Sequence, residues 1–259
     1  MELFFRSAQV SYMALFTWTR PASYLTAKIL TPFSELLFFT LLGSYATGQH
    51  TVDFYLIGNA LRLTAVNGIY GVSMGVGHER NEGTLIYLIG SPADRIAVFG
   101  GRAGFHIVDS LLTSSVALVI GHLWFGLNIQ ITDLPLLFAV VLTAAMSVCG
   151  LGLLLGSFGL TSVNVMFMNN TIYFLLILLS GANIPVEKLP KVMQLISMGL
   201  PLTRSITATH MIMAGAHLTE VVPLLLGDLV VGSLYAVGGF YVFSLFEFRA
   251  RQRGNLEAF

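Results

Sequence analysis

Residues 134–160 read LPLLFAVVLTAAMSVCGLGLLLGSFGL, an apolar run without a single Asp, Glu, Lys or Arg. A helix needs roughly 20 apolar residues to cross the hydrocarbon core of a bilayer, and this run exceeds that length. The fold is decided here: the chain enters a membrane as helix. Working outward, apolar stretches of similar kind cover Lys28–Tyr45, Phe54–Gly77 and Gly100–His122 on one side, and Val163–Asn183 and Val222–Phe246 on the other. Only Asn128–Asp133 separates the third stretch from the fourth, and only Thr161 and Ser162 separate the fourth from the fifth. The expected fold is an all-α membrane protein with six transmembrane helices and no soluble domain left to place. Neither a low-complexity tract nor a convincing internal repeat stands out.

Composition agrees. Of 259 residues, 55% are apolar and 10% charged, and the mean hydropathy is +0.80, whereas about 25% of a soluble domain is charged. That shortfall excludes an ordinary soluble domain, a disordered tail and a basic nucleic-acid binder. Thirteen basic and thirteen acidic residues cancel, so net charge names no partner and placement has to be read instead. With the N-terminus in the cytoplasm, nine of the thirteen basic residues lie inside: Arg6, Arg20, Lys28, Arg80, Arg95, Arg102, Arg249, Arg251 and Arg253. The outer loops after the first and third spans carry none, and the long segment before the last span carries Lys188, Lys191 and Arg204. Positive flanks stay on the cytoplasmic side, so both termini are expected inside. Cys149, the one cysteine, lies in the opening run and reads as a packed core thiol.

Three segments outside the spans are informative. Leu3, Phe4, Val10, Ala14 and Leu15 alternate with Arg6, Ser7, Gln9 and Ser11, a pattern for an amphipathic helix in the membrane interface rather than a cleavable signal. It ends near Trp18, Thr19, Arg20 and Pro21. Between the second and third spans, His78–Phe99 forms a cytoplasmic loop in which Thr84, Leu85, Leu88 and Ile89 recur at helical spacing beside Glu79, Arg80 and Glu82, with Ser91-Pro92 as a stop. A short helix along the inner membrane surface is expected. Outside, Gly181–Val222 is too polar and proline-punctuated to span. Its pieces Val186–Met198 and Leu202–Met213 predict two amphipathic helices hinged at Gly199-Leu200-Pro201, able to dip into the outer leaflet where their breaks are buried or wetted.

Enzyme chemistry finds little purchase. ATP hydrolysis usually leaves a GxxxxGK[ST] loop, but none of the three lysines, Lys28, Lys188 and Lys191, follows a glycine. His78-Glu79-Arg80-Asn81-Glu82 begins like HExxH but places Glu82 where the second zinc ligand must stand. An aspartyl site built on Asp228 would need a second carboxylate at matching depth. Asp109, the obvious candidate, is expected deeper, and Ser180 has no evident histidine partner.

The cytoplasmic loop, Glu79-Arg80-Asn81-Glu82-Gly83-Thr84-Leu85-Ile86-Tyr87-Leu88-Ile89-Gly90-Ser91-Pro92, resembles the ER-x-x-GTL-x-x-L-x-x-SP pattern of ABC-2-type permeases. These are the membrane subunits of ABC exporters of the drug-resistance and polysaccharide or lipo-oligosaccharide types. Far along the chain, Ser180-Gly181-Ala182-Asn183-Ile184-Pro185, Leu189-Pro190 and Leu200-Pro201-Leu202-Thr203 follow the same family's SG-x-x-x-P, LP and P-L-T order. The order and spacing of these motifs extend the resemblance over essentially the whole chain, 1–259, as one transmembrane domain.

The resemblance implies a half-transporter in a bacterial inner membrane, pairing with a second permease copy or a related permease and with separate ABC ATPase subunits. This chain would then bind no cofactor, ATP and Mg residing on the ATPase, and would meet membrane lipids but no nucleic acid. Residues 78–99 would hold the family's coupling helix: Glu79, Arg80 and Glu82 as polar contacts to the ATPase, Leu85 and Leu88 as apolar ones, Gly83 for close backbone approach, Thr84 within the motif, and Ser91-Pro92 as its end. Residues 181–222 would be the outer re-entrant element, broken at Pro185, Pro190 and Pro201. Met193, Met198, Met211 and Met213 offer either an adaptable apolar surface to cargo or ordinary packing, and His210 stands where many relatives are basic.

Charges inside spans are expensive and usually face protein or water. Arg62 and Asp109 lie about 15 and 10 residues from the inner ends of the second and third spans, a depth difference of roughly 8 Å. This predicts an Arg62–Asp109 pair, with Glu35 of the first span as a further member of an intramembrane polar path. Arg102 and His106 share a helix face by their spacing. Local satisfaction of buried polar groups is the competing reading of all these residues. At the level of function, ATP-driven export of an amphipathic, drug-like, lipid-linked or saccharide cargo competes with a stand-alone channel or ion-coupled carrier using Arg62, Glu35, Asp109 and Asp228, and with an intramembrane hydrolase.

Overall fold

A computed structural model of the chain describes residues 2–18, 21–47, 52–81, 83, 87, 90–91, 94–159 and 164–253. Among these residues every regular element is helical and no strand occurs. Helices α1 (Glu2–Trp18) and α2 (Pro21–Thr47) precede α3 (Val52–Ala65), a π-helical segment Val66–Gly71 and α4 (Val72–Asn81). Then come α5 (Arg95–Phe125), α6 (Leu134–Phe158) and α7 (Val165–Leu179), the short α8 (Lys191–Gly199) and α9 (Thr203–Met213), and α10 (Leu218–Arg253).

Among the described residues four segments are long and apolar enough to cross a membrane: Ala22–Ala46, Arg95–Phe125, Ile131–Phe158 and Leu218–Arg249. Their burial differs enough to set the architecture. The third is 67% buried and so forms the centre, whereas the first and last are 17% buried and turn most of their apolar surface outward. Helices in lipid gain little from hydrophobic exclusion and associate where small residues let backbones touch. Glycines give α6 such faces. A Cβ on Gly150 would overlap the carbonyl oxygen of Gly232 on α10, and one on Gly152 the carbonyl oxygen of Gly68 in the π segment. Further along α10, a Cβ on Gly239 would come within 2.7 Å of the Leu154 backbone nitrogen. Between these contacts Leu61, Ile69, Val140, Ala144, Leu176 and Ile206 fill the core.

The second expected span is helical throughout but is not one α-helix. The π turn widens it between Ala65 and Val72. Ser73 Oγ donates back to the carbonyl of Ile69 at 2.6 Å, and the Thr64 carbonyl at the edge of the turn accepts from Ser110 on α5 at 3.3 Å. The fifth expected span, Val163–Asn183, is shorter as helix. Asn164 caps α7 by accepting from the Phe167 N–H at 2.9 Å, and the helix stops at Leu179 because Gly181 takes a φ of +87°, a left-handed conformation that glycine adopts at little cost. Helix α5 closes the same way on Gly126 (φ +75°), whose N–H returns to the Gly121 carbonyl. The N-terminal helix α1 packs on α5 at Gly101 and Gly104, where a Cβ would meet the Phe4 carbonyl oxygen and the Phe4 ring respectively.

Candidate functional site

A guanidinium in an apolar interior needs both charge compensation and filled hydrogen bonds. Arg62 on α3 is only 2% exposed and obtains both. Its Nε donates to Asn59 Oδ1 at 2.9 Å, one turn back. Its Nη2 pairs with Glu35 on α2 and its Nη1 donates to the Tyr173 hydroxyl on α7. The guanidinium also lies over the Phe39 ring, 4.6 Å from its centroid, a cation–π contact from α2. Asn59 carries the network upward, its Nδ2 donating to Asn183 Oδ1 at 3.0 Å.

The π turn supplies the next member. Tyr70 stands edge-on to Tyr173 at 5.6 Å, and its hydroxyl donates to Asn170 Oδ1 at 2.7 Å. The result is a polar seam along α7 from Asn170 through Tyr70, Tyr173 and Arg62 to Asn59 and Asn183. Arg62 and Asn59 are its dry side; Glu35, at 28% exposure, and the exposed Tyr70–Asn170 bond form an accessible edge.

Asp109 belongs to a different cluster. Its carboxylate pairs with Lys28 Nζ at 2.7 Å and accepts from the Tyr24 hydroxyl. Lys28 also reaches Thr113 Oγ1 at 2.8 Å, and Asn67 from the π turn donates to the same oxygen at 2.8 Å. The expected Arg62–Asp109 pair is therefore replaced by Arg62–Glu35 and Lys28–Asp109. The reason is α2, which the depth comparison of the second and third spans left out. Lys28 and Glu35 are two helical turns apart on it, so one face of a single helix delivers both counter-charges. That seven-residue spacing was the signal available in the sequence. Arg102 and His106 do share a face of α5: Arg102 Nη1 donates to the Gly75 carbonyl at 3.2 Å, and the His106 ring fills the space beside Gly71.

Asp228 on α10 is fully buried. It accepts from Ser205 Oγ on α9, from Ser147 Oγ on α6 at 3.2 Å and from the Leu202 N–H at 3.2 Å. Leu202 is the one non-glycine residue with positive φ among the described residues, at +79°, and the carboxylate holds its N–H there. Arg204 lies across the neighbouring Gly227. Asp109, held by Tyr24 and Lys28, and Asp228, held by Ser147, Leu202 and Ser205, belong to separate clusters rather than to one carboxylate pair.

The segment 181–222, expected outside, folds as two short helices, α8 and α9, with its breaks at the expected prolines. Pro185 precedes a 3₁₀ turn, Val186–Lys188, Pro190 precedes α8, and Pro201 lies between α8 and α9. Gln194 ties the turn down by donating to the Leu189 carbonyl at 2.8 Å, and Ser197 Oγ donates to the Leu179 carbonyl at 2.6 Å. His210 stacks on Phe54 with centroids 4.8 Å apart and planes 8° from parallel. Burial pushes its pKa down to about 4, against the opposing pull of Glu187. At neutral pH this residue is an uncharged ring.

In the loop between α4 and α5, Glu79 and Arg80 belong to the last turn of α4, but their side chains lie outside the described residues, as do Glu82, Thr84, Leu85, Leu88 and Pro92 entirely. Gly83 is exposed with φ +71°, and Ser91 is half-buried, its carbonyl accepting from Arg95 Nη2 at 3.2 Å.

The described residues contain no cluster of three or more His, Cys, Asp or Glu able to hold a metal. No curated protein matches this chain. The model of the family described as ABC-2 type transporter matches residues 9–214, a stretch holding the α4–α5 loop, the polar seam and helices α8 and α9. An all-helical membrane chain matched over most of its length in this way belongs to the ABC-2 type transporter family, as a membrane permease component of an ABC-type transporter.

Proposed function

We propose that this chain is the permease half of an ATP-driven exporter, moving an amphipathic, drug-like, lipid-linked or saccharide cargo out of the cytoplasm or inner leaflet. The observation that carries the reading is the family match over residues 9–214. The whole chain, 1–259, acts as one transmembrane domain with six spans. Residues 52–81 make the second, about 45 Å of broken helix, and α7 with the buried Ser180–Ala182 segment makes the fifth. Both termini face the cytoplasm of a bacterial cell, with α1 in the inner-membrane interface. A second permease, identical or related, and two ABC ATPase subunits complete the transporter. ATP and Mg are held by the ATPase.

Within that assembly Glu79, Arg80, Glu82, Gly83, Thr84, Leu85, Leu88, Ser91 and Pro92 form the coupling helix and its end, and the Pro185–Met213 segment closes the outer mouth. Glu35, Arg62, Tyr173 and Asn170 supply a polar strip beside the pathway that a cargo's hydroxyl or headgroup can meet. An ion-coupled carrier would need a carboxylate free to load and unload. Glu35, Asp109 and Asp228 are each engaged in the folded chain, which favours the ATP-driven reading.

The test is co-purification with an ABC ATPase subunit, which a neighbouring gene is expected to encode. Wild type retains it, and Glu79→Lys with Glu82→Lys loses it while the permease still inserts. ATPase retention and transport that survive disruption of the whole Glu79–Pro92 segment would overturn the assignment.

A further inference from the structure

Helix α10 is tied at both ends to the two segments that would move during transport. Near its inner end Glu247 accepts from Arg95 Nη2 at 3.1 Å, with both side chains about 15% exposed or less. The same Nη2 donates to the Ser91 carbonyl at 3.2 Å, so one guanidinium joins the exit of the cytoplasmic loop to α10. Asp94 fixes the start of α5 beside it by accepting from the Ile96 N–H at 3.0 Å. Phe99 packs on Phe243 at 4.7 Å one turn deeper. Toward the other end Asp228 holds the first turn of α9 through Leu202 and Ser205, and two turns on, near the middle of α10, Tyr235 donates to the Gly199 carbonyl at the end of α8 at 2.9 Å.

The spacing gives these contacts their meaning. Asp228 and Glu247 are separated by about 28 Å along the helix, close to the thickness of a hydrocarbon core. Between them α10 has no proline, since Pro223 precedes both. Of its three glycines there, Gly232 lies against the Ser147 backbone and Gly239 against the backbone of Leu153 and Leu154, while Gly238 meets only the Leu154 side chain, at 3.9 Å. A helix backed in this way moves as one piece rather than bending between its two attachments.

We propose that α10 is the link that carries motion of the cytoplasmic loop to the outer helices, with Arg95 and Glu247 as its inner positioning residues and Asp228 as its outer one. Displacing the end of the loop moves Arg95, which draws Glu247 and α10. The shift of Asp228 then releases or seats the N–H of Leu202, a residue whose positive φ makes that conformation dependent on the bond. The identity of the driver, an ATPase pushing the loop, rests on the function proposed above; the link itself does not.

The experiment is hydrogen exchange on the full chain in lipid nanodiscs, without any ATPase. Arg95→Ala or Glu247→Ala should accelerate exchange at residues 202–209 on the opposite side by roughly tenfold. Asp228→Ala, which removes the acceptor of the Leu202 N–H, should accelerate residues 94–99 in return, because coupling between two sites is reciprocal. The swap Arg95→Glu with Glu247→Arg should restore wild-type exchange at residues 202–209, which separates the ion pair from a general loosening. Phe248→Ala, on the exposed face of the same helix, should leave residues 202–209 unchanged. Inner substitutions that accelerate only inner amides would overturn the link. Loss of co-purification with persistent long-range coupling would instead remove the ATPase and leave the link standing.

Discussion

Arg62 and Asp228 are both ionisable groups shut away from water, and the fold accommodates them by opposite means. Arg62 has a full counter-charge in Glu35 and two aromatic neighbours in Phe39 and Tyr173. Asp228 has hydrogen bonds from two hydroxyls and one backbone N–H. The first arrangement is a pair whose members depend on each other. The second is a single acceptor on which three elements, α6, α9 and α10, converge. A buried pair can be removed whole at small cost, whereas a convergent acceptor loses geometry with each donor taken away.

The largest effect should come from breaking the pair on one side. Glu35→Ala leaves Arg62 charged and 2% exposed, and is expected to destabilise the chain by about 3–5 kcal/mol. Arg62→Ala leaves Glu35, more than a quarter exposed, free to hydrate and should cost less. The double variant Arg62→Met with Glu35→Gln should recover much of the stability lost by Glu35→Ala. Thermal unfolding in nanodiscs checks all three, and equal losses for the two single alanine variants would erase the asymmetry.

Around Asp228 the steps should be smaller and graded. Asp228→Asn keeps an oxygen for Leu202 and Ser147, and Ser205→Ala removes one donor; each is expected to cost about 1 kcal/mol. Because both act on the first turn of α9, their combined loss should depart from the sum.

His210 sharpens the comparison with a third solution, exclusion of charge altogether. With the folded pKa near 4 and an ordinary value of about 6.5, the unfolded chain takes up a proton first as pH falls. The outer element is thus fully stable above about pH 6.5 and loses stability as pH drops toward 4. His210→Phe should keep the stack on Phe54 and flatten the pH dependence, read as the unfolding midpoint at about pH 7.5 against pH 5. An unchanged slope in this variant would place the titration elsewhere.

How much of this was legible in the sequence varies with the physics involved. Apolar length is additive along the chain, so α2, α5, α6 and α10 could be read directly. The outer helices were legible because Pro190 and Pro201 act locally, through a missing N–H and a fixed φ. The π turn was not, because no residue type encodes it. It follows from contacts that converge from α5 and α6 on Asn67, Gly68 and Gly71. The ion pairs were half legible: depth identified which charges needed partners, but partner choice required knowing that α2 packs against both α3 and α5. For Asp228 the sequence argued only against catalysis, for want of a second carboxylate at its depth; its place as a shared acceptor needed the donors from α6 and α9.

The seat of α1 on Gly101 and Gly104 has a consequence in time. Helix α1 is synthesised before α5 and packs on a surface made some 85 residues later, so at the usual ~5–20 residues per second its site does not exist for roughly 4–17 s. A strongly apolar helix in that interval would insert and compete for the translocation machinery, and a strongly polar one would drift away. A helix with one greasy side can wait on the bilayer surface until α5 arrives, so the modest amphipathicity of residues 2–18 suits the order of manufacture as much as the finished fold.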